Sequence, residues 1–162
     1  MKNIIKAIVL IGLIGIINEG AFAQKSGEMV SPAVNSAFMA KFPQVRMKKW
    51  KMRGDTCIAS FKLYKRHYMA YFSNDGSWIR TDRNLVHFAN LPMSTQTYLK
   101  TSKYASWHFD GFIKRQTPTQ TMYVVRIDNH SGSPVEYEDA GDADNNSLYF
   151  NSAGTLVKAN AN

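Results

Sequence analysis

Cysteine is nearly absent from this chain: Cys57 is the single one among 162 residues. A lone cysteine excludes an intrachain disulfide, so the fold must be held by its core. Long apolar runs are equally scarce. Residues 7–17 form one uncharged stretch of eleven, short for a bilayer span, and no second run approaches it. Catalytic signatures are missing too. There is no H-E-x-x-H, no G-x-S-x-G and no G-x-x-x-x-G-K, so zinc-protease, serine-hydrolase and phosphate-loop chemistries have no sequence support. One region also lacks cations: residues 128–144 hold six acids and neither Lys nor Arg.

What is present begins with an export signature. Lys2 and Lys6 precede the apolar run, and "AFA" before Gln24 has the small-x-small pattern of a cleavage site. Residues 1–23 are therefore expected to be a signal peptide. The residue directly after the cleavage site is Gln24 and not cysteine, so a lipid anchor is not expected, and the mature chain is placed in the periplasm or outside the cell. A chain of this length can bury roughly two-thirds of its unfolded surface, which suffices for a core without staples. The formal charge is +8, unevenly spread: residues 41–66 carry nine Lys/Arg against Asp55 alone.

Local patterns give an order of elements. "SPAVNSAFMAKFP" predicts a helix capped by Ser31, entered at Pro32 and stopped by Pro43, with Val34, Ala37, Phe38 and Phe42 on one face. After an extended "VRMKKWKMR" and a Gly54-Asp55 turn, "CIASFKLYK" alternates, with Cys57, Ala59, Phe61 and Leu63 facing one way. Cys57 in that row reads as a small core residue rather than a nucleophile. "HYMAYFS" and "SWIRT" flank Asn74-Asp75-Gly76, a hairpin signal. The order then restarts at Leu91-Pro92. "MSTQTYLKTSKY" predicts a second helix with Thr95, Tyr98, Leu99 and Ser102 on its better face, and further strands follow in "SWHFDGFIKR", "TMYVVRID" and "SLYFNSAGTLVK".

"AYFSNDGSWIRT" at 70–81 and "LYFNSAGTLVKA" at 148–159 are nearly one phrase, with Gly76 and Gly154 in matching places. At an offset of 62, Phe42 also meets Tyr104, Val45 meets Trp107 and Trp50 meets Phe112. The pattern predicts an α+β fold: a tandem repeat of two αββββ units, residues 24–90 and 91–162, forming one joint domain. Their strands should make an antiparallel meander sheet with both helices on one side, because each helix has one apolar stripe to bury.

The first copy carries Val34, Ala37, Phe38, Phe42, Pro43, Trp50, Asp75, Gly76 and Trp78 in the order P-x-V-x-x-A-F-x-x-x-F-P, Trp, aromatic strand, D-G-x-W. In this it resembles the PepSY-like family of exported bacterial proteins, across residues 30–160. The second copy departs, with Ala105 in place of the proline and an extra acidic insertion. The resemblance implies a fold similar to β-lactamase inhibitory proteins, tandem αβ units with a concave binding sheet. It supplies no catalytic residues.

The function expected is that of an exported, non-catalytic interaction module binding another protein through a sheet face, without cofactor or metal. The alternative is a binder of an anionic ligand (glycan, lipid headgroup or small molecule) through the basic patch at 41–66. Lys48, Lys49, Lys51, Arg53, Lys65 and Arg66 are the binding candidates, expected to form one positive field that favours a partner with an acidic contact surface. "RMKKWKMR" resembles a nucleic-acid surface in composition, but an exported protein is not expected to meet nucleic acid. On a strand Trp50 and Met52 oppose Lys49 and Lys51, so the tryptophan belongs to the core. His67, His87, His108 and His130 are scattered singly. "DADNN" at 142–146 begins like a calcium loop, but Ser147 and Ala153 stand where Gly and Glu belong, leaving only a weak site in the wider acidic loop.

Overall fold

The computed structural model describes residues 30–128 and 146–160. The expected signal peptide and almost all of the acidic insertion lie outside the described residues. Helix α1 is Pro32–Lys41; the Ser31 hydroxyl accepts from the Val34 amide at 3.2 Å, and the Phe42 amide donates to the Phe38 carbonyl at 2.8 Å before Pro43 ends the run. Strands β1 (Lys48–Arg53), β2 (Thr56–Leu63), β3 (Arg66–Ser73) and β4 (Trp78–Leu85) follow, then a 3-10 turn at Phe88–Asn90. Helix α2 is Met93–Thr101, succeeded by β5 (His108–Gln116), β6 (Thr121–Asp128), β7 (Ser147–Asn151) and β8 (Leu156–Asn160). The order α-β-β-β-β thus occurs twice. The second helix is shorter than its sequence suggests: Ser102 closes it, and Tyr104 is buried from the turns beyond.

The eight strands among the described residues join one antiparallel sheet in sequence order. Register decides which face each residue takes. The partners Phe61, Tyr68, Arg83, Lys114 and Tyr123 form one row across β2 to β6. Phe61 and Tyr68 pack in the cluster under α1, and Tyr123 in the cluster under α2, so both helices lie on the same face. The first cluster is centred on Val34, Phe38, Cys57, Ala59, Phe61, Ala70 and Phe72. Trp50 joins it, its ring 5.4 Å from Phe38. The second holds Leu85, Leu91, Leu99, Tyr104, Val125, Ile127, Leu148 and Phe150. Burying side chains of this size yields about 1.5–3 kcal/mol each, which makes the two clusters the main source of stability.

The repeated phrase folds alike in both places. At the β3–β4 turn the Gly76 amide donates to the Ser73 carbonyl, and at the β7–β8 turn Gly154 donates to Asn151, both at 2.9 Å. The glycines have φ of +92° and +86°, the left-handed region where a Cβ is unfavourable. A bulge follows each tyrosine, between Tyr71 and Phe72 and between Tyr149 and Phe150. Each turn also docks on a helix start: Ser31 Oγ donates to the Asn74 carbonyl at 3.0 Å, and Ser94 Oγ to the Ala153 carbonyl at 2.6 Å.

Candidate functional face

The helices cover one face of the sheet; the opposite face holds the chemistry. Alternation directs Lys49 and Lys51 on β1, Ile58 and Lys62 on β2, Met69 and Tyr71 on β3, and Arg80 and Asp82 on β4 to this side. From the second half come Ile113 and Arg115 on β5, Met122, Val124 and Arg126 on β6, Tyr149 on β7 and Lys158 on β8. Its centre is a small second core in which Ile113, Val124 and Tyr149 pack together with Met122 against them.

Beside that core, β4 and β5 are joined by charge. Asp82, 3% exposed, accepts from Arg115 Nε at 2.8 Å and from Arg115 Nη2 at 2.9 Å. Arg80 Nε donates to the same carboxylate at 3.3 Å. A buried carboxylate needs this much compensation, since desolvating it unpaired is strongly unfavourable. Burial alone would lower the Arg115 pKa, but the hydrogen bond and charge of Asp82 outweigh it and leave it raised. The Arg80 guanidinium lies 3.8 Å over the Tyr71 ring, and Lys158 Nζ lies 5.4 Å from the Tyr149 ring. Burial, then the nearby Asp82 charge, pushes the Tyr71 phenol pKa up. Each half therefore sets a cation over a tyrosine at the same place in its final hairpin. Cations held this way are pre-aimed and lose less freedom when a partner arrives.

The six cations expected to form one field are divided by the sheet. Lys49, Lys51 and Arg53 share the helix-free face. Lys48 turns the other way: its Nζ lies 5.0 Å from the Phe38 ring and 3.9 Å from Met39 Sδ. Arg66 also has the helix-side parity of Tyr68, and Lys65 occupies the tip of the β2–β3 hairpin. The reason is the pleat, which sends consecutive residues to opposite faces. Arg80, Arg115 and Lys158 were not among the candidates. Their visible signal was position: Arg80 and Lys158 match within the repeated phrase.

Cys57 is 1% exposed, its thiol donates to Asn74 Oδ1 at 3.2 Å, and burial raises its pKa. That is a packing residue with a satisfied polar atom. Among the described residues no group of three or more His, Cys, Asp or Glu could hold a metal. His67, His87 and His108 are exposed; His108 approaches Asp110 at 3.6 Å, and His130 lies outside the described residues. Among the described residues no helix is long and apolar enough to cross a membrane.

No protein-family model matches the sequence, and comparison with curated proteins finds no match. Solved structures do match. A DUF2874 family protein from Bacteroides ovatus shares 20% identity at a TM-score of 0.67, covering 82% of this chain and 87% of its own. A DUF2874 family protein from Bacteroides uniformis shares 14% at 0.67, covering 81% and 88%. A BLIP-like protein from Bacteroides fragilis shares 24% at 0.65, covering 81% and 85%. The fold accordingly resembles that of BLIP-like proteins, with one eight-stranded antiparallel sheet and two α-helices among the described residues.

Proposed function

We propose that this chain is an exported, non-catalytic interaction module of PepSY-like type, built by duplication of one αββββ unit, that binds a protein with an acidic contact surface on its helix-free sheet face. The observation that carries the reading is the pair of tyrosine-mounted cations, Arg80 and Lys158, flanking the Arg115–Asp82 joint at the centre of that face. Lys49, Lys51 and Lys62 extend the positive surface across the first half. Arginine and tyrosine are the residue types that dominate interface energetics. A positive face also speeds encounter with an acidic one, with a reach of about 8 Å at physiological ionic strength. Export is supported by the N-terminal signature and by a similar Bacteroides eggerthii protein whose name provisionally assigns it to the periplasm. Duplication is supported by the matched turns, bulges and tyrosine–cation pairs.

Immobilised chain exposed to cell-envelope extract is the test. A protein retained at stoichiometric yield is expected. Changing Lys49, Lys51, Lys62 and Lys158 to Gln should slow its association at least tenfold at low salt, whereas changing Lys48, Lys65 and Arg66 should not. Retention of a glycan or lipid alone, released by salt, would replace this reading with the anionic-ligand one.

A further inference from the structure

Where β4 and β5 meet on the helix-covered face, register sets two cations directly opposite each other, Arg83 and Lys114. Tyr68 stands beside Arg83 on β3, and Tyr123 beside Lys114 on β6. Tyr68 packs in the core under α1 and Tyr123 in the core under α2, so the cations occupy the strip between the two cores. Both are only partly exposed, and Arg83 Nε is buried with no hydrogen-bond partner. Among the described residues neither side chain has an ion pair. The nearest carboxylate in sequence, Asp82, points to the other face and is taken by Arg115 and Arg80. Like charges directly opposite destabilise an antiparallel pair, and a buried unpaired donor adds to that. The other cations at the β4–β5 joint, Arg80 and Arg115, both bond to Asp82. The Arg83–Lys114 pair is the exception, and it has the composition of an oxyanion receptor: a planar fork that matches two oxygens, with an ammonium beside it.

We infer that Arg83 and Lys114 form a binding site for an oxyanion, carboxylate or phosphate, in the strip between α1 and α2. The partly buried rings of Tyr68 and Tyr123 border it, and Trp78, whose indole N–H donates to Thr81 Oγ1 at 3.0 Å, stands farther along β4 on the same face. Such rings suit the apolar part of an acid and lower the local dielectric around its charge. The site faces away from the proposed protein-binding surface and does not depend on it.

Thermal unfolding of the full chain tests the inference, with inorganic phosphate and octanoate as separate probes and sodium chloride at matched ionic strength as control. Above its dissociation constant, each tenfold of a probe that binds should raise the Tm by roughly 4 °C. A response to phosphate identifies a free oxyanion as sufficient, and one to octanoate alone identifies an acid on an apolar tail. Arg83→Met should abolish the response while raising the Tm of the protein without probe, because it removes one side of the repulsion. Lys114→Gln gives the same test if Arg83→Met fails to fold. No response to either probe beyond chloride, or an undiminished response in the variants, overturns the site.

Discussion

In the first half Phe38 sits among four rings, with centroids of Phe42, Trp50, Phe61 and Phe72 between 5.2 and 6.2 Å away. In the second half Leu99 takes the corresponding helix position, in a cluster with Leu91, Tyr104, Val125, Ile127, Leu148 and Phe150, the last matching Phe72. The helix starts differ as well. Ser31 caps α1 with its side chain, while Pro92 offers α2 no side-chain cap, and Gln96 Nε2 reaches the Leu91 carbonyl at 2.8 Å. Where α1 buries Val34, α2 buries Thr95, whose hydroxyl donates to the Gly154 carbonyl at 3.3 Å. One arrangement of strands and helix thus accepts an aromatic or an aliphatic side chain at the centre of the helix face. What both halves keep is the glycine turn, the bulge and the tyrosine–cation pair, because these are set by backbone geometry rather than by volume.

Truncating the two central helix residues gives the largest contrast. Phe38→Ala should lower stability by about 4 kcal/mol and Leu99→Ala by about 3 kcal/mol in urea unfolding, since the larger ring leaves the larger cavity. Equal losses would mean that the first core collapses around the gap. Next is the joint between the halves. Asp82→Asn strips the charge that compensates two guanidiniums and should lower stability by about 3 kcal/mol. Two separated unfolding transitions in that variant would show that this carboxylate couples the halves.

The turn glycines should be unequal. A Cβ on Gly76 would lie 2.9 Å from the Ala33 carbonyl oxygen, whereas on Gly154 it would meet the Ser94 and Thr95 hydroxyls, both engaged in hydrogen bonds, and the rigid Pro92 ring at 3.0 Å. Gly154→Ala is expected to lose about 3 kcal/mol and Gly76→Ala about 2 kcal/mol, both including the left-handed backbone. Pairing Gly154→Ala with Ser94→Ala should recover part of the loss.

Alkaline titration reads the buried Tyr71. Folding raises the Tyr71 pKa, so its contribution is fully present below the unfolded value of about 10 and is lost as pH rises through the folded one. Tyr71→Phe should flatten the alkaline fall in stability relative to the unaltered chain, as read from Tm against pH. The smallest effect is a gain. Tyr64 and Lys65 at the β2–β3 tip have φ of +49° and +61°, a conformation that favours glycine. Lys65→Gly should stabilise by about 1 kcal/mol in chemical unfolding.

Much of this was legible in the chain. Period-two alternation placed Cys57, Phe61 and Trp50 in the core, and Pro32, Pro43 and the two glycine turns bounded the elements, because each of these signals is local and nearly independent of what packs nearby. Alternation also put Lys49 and Lys51 opposite Trp50. Grouping six cations by nearness in sequence failed for Lys48 and Arg66, since neighbours along a strand point to opposite faces. The length of α2 was overestimated because nothing in "KTSKY" forbids another turn; the requirement to bury Tyr104 ended it.

The sequence by itself determined the element order, the glycine turns and much of the first core, all of which follow from short-range sterics and hydrophobic period. Only the tertiary structure decided what crosses the β4–β5 joint. Asp82 meets Arg115 thirty-three positions away, and Arg83 meets Lys114, because one register out of many brings those strands together. Register is a property of two segments packed against two helices, and neither strand carries it alone.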